Sequence, residues 1–129
     1  MNRMIKWMST FAVIVALAGC ARTVAIDNIQ TSLGSGHTVE QVKTAIFKAG
    51  IARQWIMNEA EPGVIKARQQ SRDHIAEIRI NYSKNGYSIH YDSSLNLSAS
   101  AGKIHPNYNR WVRNLNKDIQ VNLSALPTK

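Results

Sequence analysis

The residue types able to do chemistry are present but scattered. Four histidines stand at 37, 74, 90 and 105, with neither the i, i+4 nor the paired-cysteine spacing that a metal site shows in a sequence, so no metal and no cofactor is expected. Serines abound, but no Gly-x-Ser-x-Gly elbow presents one as a nucleophile. Asp118 and the glutamates lack a spacing suited to paired acid–base work, and no catalytic residue is assigned. One thiol, Cys20, is the chain's only cysteine, which excludes an intramolecular disulfide. It closes Leu17-Ala18-Gly19-Cys20, at the end of an apolar run.

Upstream of Cys20 the chain has the three parts of a secretory signal. Arg3 and Lys6 give a basic start, residues 11–18 an apolar centre, and Ala18-Gly19 a small-residue cleavage site. The apolar centre falls well short of the roughly 20 residues that span a bilayer. An ordinary signal peptide has no need of a cysteine at that site. Leu17-Ala18-Gly19-Cys20 resembles the lipobox of bacterial lipoproteins. The resemblance implies a diacylglycerol thioether on Cys20, cleavage before it and acylation of the new amine. Each buried methylene contributes about 0.8 kcal/mol, so two or more acyl chains make a stable anchor. Ala21 is not the Asp that retains such proteins at the inner membrane in enterobacteria-like systems, and the analogy points to the periplasmic side of the outer membrane.

Cleavage there removes 19 of 129 residues, two of them basic, and leaves 110 residues with 14 basic against 8 acidic side chains, a net charge of +6. That length suits one small domain. A basic surface is drawn to anionic surroundings with a strength that salt screens. For a secreted chain these are anionic lipid, glycan or acidic envelope proteins, and nucleic acid is not expected.

Residues 20–37 read as a lipid-anchored flexible tether ending in Leu33-Gly34-Ser35-Gly36, with an average reach of roughly 20–25 Å. Val24, Ile26 and Ile29 are apolar enough for part of it to dock. A domain follows over 38–129. Thr38-Val39-Glu40-Gln41 has the form of a capping box, and Val39, Val42, Ile46 and Ala49 repeat at helical spacing up to Gly50, placed to end the helix. Strands are expected at 53–60, 64–70, 74–83 and 87–93, with a turn at Glu61-Pro62-Gly63-Val64 and a type I′ hairpin at Asn85-Gly86. That hairpin would pair Tyr82 with Ile89 and Ile80 with Tyr91, bringing both apolar sets to one face. Residues 94–103 read as a loop. Pro106 opens a second helix with a stripe of Tyr108, Trp111, Val112, Leu115 and Ile119. The stretch from Ser94 through Ile104-His105-Pro106-Asn107-Tyr108-Asn109-Arg110-Trp111 resembles a pattern in small uncharacterised bacterial lipoproteins. It covers only part of the mature chain and carries no known activity.

The expected fold is α+β: a small antiparallel four-stranded sheet with one helix before and one after it, both packed on one face. The aromatic side chains read as core, except Trp55, whose strand face is undecided. On the opposite sheet face the hairpin would set Arg79 across from Asp92 and Asn81 across from His90, with Arg68 against Glu77. Arg68, Glu77, Arg79, His90 and Asp92 therefore form the candidate partner surface. The functional expectation is an outer-membrane-anchored periplasmic lipoprotein, a non-catalytic binding or assembly accessory held by acyl chains on Cys20. Its alternative is a lipid-anchored hydrolase, which a histidine and a carboxylate meeting in a cleft would favour.

Overall fold

The computed structural model describes residues 22–126. The signal-like segment 1–19 and the anchor residue Cys20 lie outside the described residues. Seven strands and two helices follow in the order β1 (Val24–Ala25), β2 (Ile29–Ser32), α1 (Val39–Ala52), β3 (Ile56–Glu61), β4 (Val64–Ser71), β5 (His74–Ser83), β6 (Gly86–Leu95), β7 (Lys103–Ile104) and α2 (Pro106–Ser124). The α+β class and the two helices are as expected, but the sheet has five antiparallel strands rather than four, in the order β2-β6-β5-β4-β3. A separate two-stranded sheet joins β1 to β7.

Two of the three extra strands, β1 and β2, come from the stretch expected to be a flexible tether, and the third, β7, from the end of the stretch expected to be loop. Ile29 pairs with Ile89 and Thr31 with Tyr87, so β2 edges the sheet beside β6. Val24 pairs with Ile104, and the Ile26 amide donates to the Gly102 carbonyl at 2.9 Å. Ile26, Ile29 and Leu33 supply the apolar contacts while Val24 stays exposed, and every backbone donor placed against protein needs an acceptor. Pairing satisfies both demands.

Helix α1 opens on the expected capping box. The Thr38 hydroxyl accepts from the Gln41 amide at 3.1 Å, and the Thr38 amide donates to the Gln41 side-chain oxygen at 3.0 Å. Gly50 does not end the helix, and Val39 is exposed rather than part of the buried stripe. The chain leaves α1 through Gln54, which takes the left-handed conformation at φ 67°. The Gln54 amide donates to Ile51 and the Trp55 amide to Gly50, at 3.0 and 2.9 Å, the pair of bonds that closes a helix end of the Schellman type. That turn delivers Trp55 inward to the core, where only 4% of it is exposed.

The Pro62-Gly63 turn forms as expected, with Gly63 at φ 84°. The β5–β6 hairpin differs. Its loop is Lys84-Asn85, neither residue has positive φ, and Ser83 pairs with Gly86. Tyr82 thus lies opposite Tyr87 and Ile80 opposite Ile89, not opposite Ile89 and Tyr91. A displacement of two residues keeps every side chain on its expected face, because side chains alternate with period two. Gly86 is required by proximity instead: a Cβ there would lie 2.6 Å from the Thr31 carbonyl oxygen on β2.

One sheet face carries Ile65, Ala67, Ala76, Ile78, Ile80, Tyr87 and Ile89, all buried in a cluster with Val42, Ala45, Ile46 and Ala49 of α1 and Tyr108, Val112, Leu115, Ile119 and Leu123 of α2. Leu97 and Ile104 extend the same core, which ties down the stretch 94–103 expected to be loop. Trp111, expected in the buried stripe, is only partly buried at its margin.

Candidate functional site

Of the five residues assigned to a partner surface, Arg68, Glu77, Arg79 and His90 share the uncovered sheet face, and Asp92 is exposed at a bulge of β6. Arg68 pairs with Glu77 across β4 and β5, as expected. Arg79 faces His90, not Asp92, and Asn81 faces Ser88, not His90. Both re-pairings follow from the hairpin loop sitting one residue earlier, which moves the register by two, and a bulge in β6 acts separately on Asp92. Ile78 pairs with Tyr91 and Glu77 with Ser93, which leaves Asp92 without a partner residue on β5. Among the described residues, the ion pairs within 4 Å do not include these five side chains. The face is a charged surface. A hollow of about 330 Å³ lies at the hairpin end of the sheet, and none of the five lines it.

A more enclosed arrangement lies on the other side, where the helix layer ends. The inner face of β4 runs Ile65, Ala67, Gln69, so the core gives way to a carboxamide beside Trp55. Gln69 shares a cleft of about 550 Å³ with Arg53, Trp55, Trp111, Asn114 and Asp118. Three elements position these groups. The Schellman turn sets Trp55 as the buried wall. Helical spacing of three and four residues puts Trp111, Asn114 and Asp118 on one flank of α2. Strand alternation turns Gln69 inward.

Charge in the cleft is paired. Arg53 Nε donates to Asp118 Oδ2 at 2.5 Å, with a second, longer contact of 3.5 Å from its terminal nitrogen to Oδ1. The bond to Asp118 and its negative charge raise the Arg53 pKa and hold the guanidinium charged. Gln69 is the opposite case. Its Oε1 is shut off from solvent with no hydrogen-bond partner among the described residues, a situation that costs about 1–3 kcal/mol for a buried acceptor. Native structures rarely leave such an atom without a reason.

Sequence reasoning missed this cleft because it read Trp111 as core and left Trp55 unplaced. The legible signal was the α2 flank: Trp111, Asn114 and Asp118 recur at the same helical spacing as the buried stripe but mix aromatic with polar types.

Other ionisable groups meet elsewhere. Tyr82 donates to Glu59 Oε2 at 2.6 Å and Lys43 lies 3.1 Å from Glu59 Oε1. These two partners, the phenol first, hold the Glu59 carboxyl below its ordinary range. The His74 and His105 rings stack at 6.3 Å, and His74 Nε2 lies 3.7 Å from Asp73 on an open turn. Among the described residues no group of three or more His, Cys, Asp or Glu is placed to hold a metal. No helix among them is long and apolar enough to cross a membrane. Neither a protein-family model nor a curated protein sequence matches the chain.

Proposed function

We propose that this protein is a lipid-anchored binding module of the bacterial cell envelope, held on the periplasmic side of the outer membrane through acyl chains on Cys20. The observation that carries the anchor is the position of the sole cysteine: it follows Leu17-Ala18-Gly19 at the end of a basic-then-apolar leader. The fold adds a consequence. Val24 already lies in β1, so three residues, or four Cα–Cα steps, separate the lipidated residue from the first strand. Fully extended, they reach about 14 Å. The domain would ride close to the membrane rather than at the end of a long tether.

Binding rather than hydrolysis is supported by the composition of the cleft. Its ionisable side chains, Arg53 and Asp118, are spent on each other, and its remaining lining is aromatic or carboxamide apart from Ala52. Clefts of this size with an apolar wall and a few converging polar groups are where small ligands sit. The charged sheet face carrying Arg68 and Arg79 serves in this reading as a second surface toward anionic envelope components.

The test is Cys20→Ser in cells fed a radiolabelled fatty acid. Loss of label, together with an unprocessed or mislocalised precursor, is expected. A substituted protein that still fractionates with the outer membrane like wild type would remove the anchor from this account.

A further inference from the structure

We infer that the Trp55–Trp111 cleft binds a neutral saccharide, one or two pyranose rings of an oligosaccharide laid against the Trp111 indole. This rests on reading the protein as a binding module and does not depend on its anchor.

The ligand class follows from what the lining offers and what it refuses. Asp118 and Arg53 neutralise one another at 2.5 Å. An anion entering the cleft would meet the carboxylate, and a cation the guanidinium, so each would have to break that pair. A wholly apolar ligand would leave the Gln69 oxygen unsatisfied and would bury the Asn114 carboxamide without a partner. The remaining chemistry combines an apolar face with hydroxyl or amide groups that both donate and accept. A pyranose has this character, with C–H groups across its faces and hydroxyls around its rim.

Each wall has a matching task. Trp111 is partly exposed and presents indole surface to ring C–H groups, as amphipathic aromatics do at binding sites. Trp55, nearly buried, fixes the depth of the cleft. The Asn114 side chain makes no hydrogen bond to another described residue, and its carboxamide supplies two donors and an acceptor. A small rotation of the Gln69 carboxamide toward the cleft would let its oxygen accept a ligand O–H or N–H, which relieves the buried acceptor. The cleft volume of about 550 Å³ falls within the range of small-molecule sites and exceeds the need of a single ring.

Intrinsic fluorescence reads the site directly. The chain has three tryptophans, and Trp7 precedes Cys20, so in the processed protein Trp55 and Trp111 are the only indoles. If Trp7 is retained it is common to every variant. The full chain as isolated, in a detergent without a sugar head group, is titrated with cellobiose, maltose and N,N′-diacetylchitobiose. A saturable change with at least one of them is expected. Trp111→Ala should weaken that response by about tenfold or more, as loss of a central aromatic anchor does. Asn114→Ala, which removes no packed side chain, should weaken it while far-UV circular dichroism stays that of wild type. No saturable response to any of the three sugars, or the same response in Trp111→Ala and Asn114→Ala, overturns the assignment. A photo-crosslinker placed at Asn114 in cells separates the two levels. Crosslinks to protein alone, with no response to sugars, defeat the saccharide and leave a binding cleft. Neither crosslinks nor a sugar response defeats binding at this cleft altogether.

Discussion

The two flanks of α2 are finished differently on either side of one buried stripe. On one flank stand Asn109, Arg113 and Asn116, and their polar groups meet the N-terminal strands. Asn109, 4% exposed, donates from its amide to the Ala25 carbonyl at 2.8 Å and accepts from the Asp27 amide at 3.0 Å. Its side chain thereby stands in for a neighbouring strand. Arg113 Nε lies 2.5 Å from Asp27 Oδ2. The Asn116 oxygen accepts from Thr31 at 3.1 Å and from the buried phenol of Tyr87, whose pKa burial raises. On the other flank stand Trp111, Asn114 and Asp118, half-buried around open space, with Asp118 paired to Arg53. A helix that uses one edge to hold strands and leaves the other edge unfilled separates stability from recognition along a single element. The closed flank should therefore respond to substitution in folding, and the open flank in binding.

The sharpest break of that contrast is Asn109→Ala. It leaves the Ala25 carbonyl and the Asp27 amide without their partner at once, and an unsatisfied buried group costs about 1–3 kcal/mol. A loss of about 2–4 kcal/mol is expected in denaturant unfolding, with faster hydrogen exchange at 25–27. A loss under about 0.5 kcal/mol, the range of an ordinary surface change, would show that the N-terminal segment is held by β7 alone.

A matched pair on the same helix sharpens it further. Asn116→Ala should cost about 1–2 kcal/mol, because Thr31 and Tyr87 lose their shared acceptor. Asn114→Ala, two residues earlier and facing the cleft, should stay within about 0.5 kcal/mol. Equal costs for the two would mean that the flanks do not differ in the way their hydrogen bonds indicate.

The smallest effect is expected beyond α2, where Glu59 on β3 meets Tyr82 and Lys43. A carboxyl whose folded pKa lies below its ordinary value near 4.5 stabilises the fold above that pH. The contribution fades as pH falls below it toward the depressed folded value. Thermal melts of Glu59→Gln should accordingly show a shallower loss of stability on acidification than wild type. Parallel acid limbs would show that the two partners do not distinguish the charged form.

The motif Asn107-Tyr108-Asn109-Arg110-Trp111 shows how far types and spacing reach. Periodicity marked a helix and placed Tyr108 inside. It did not distinguish Asn109, which is buried because two backbone groups 82 and 84 residues away need it, nor Trp111, which is not fully buried because its side of the helix meets a cleft. Likewise Asn85-Gly86 correctly marked a hairpin. The reason for Gly86 lay in β2, a strand that arrives from 54 to 57 positions earlier and is invisible to any local pattern.

The sequence by itself determined the features that depend on neighbours within a few residues. These are the capping box at Thr38, the Pro62-Gly63 turn, the shared inward face of Ile80 and Ile89, the start of α2 at Pro106, and the α+β class that follows. It took the tertiary fold to make residues 24–25 and 29–32 strands, to set Arg79 opposite His90, and to end the core at Gln69 beside two indoles. Local propensity and side-chain alternation are properties of one segment. Edge pairing, bulges and clefts are settled where separate segments compete for the same hydrogen bonds and the same space.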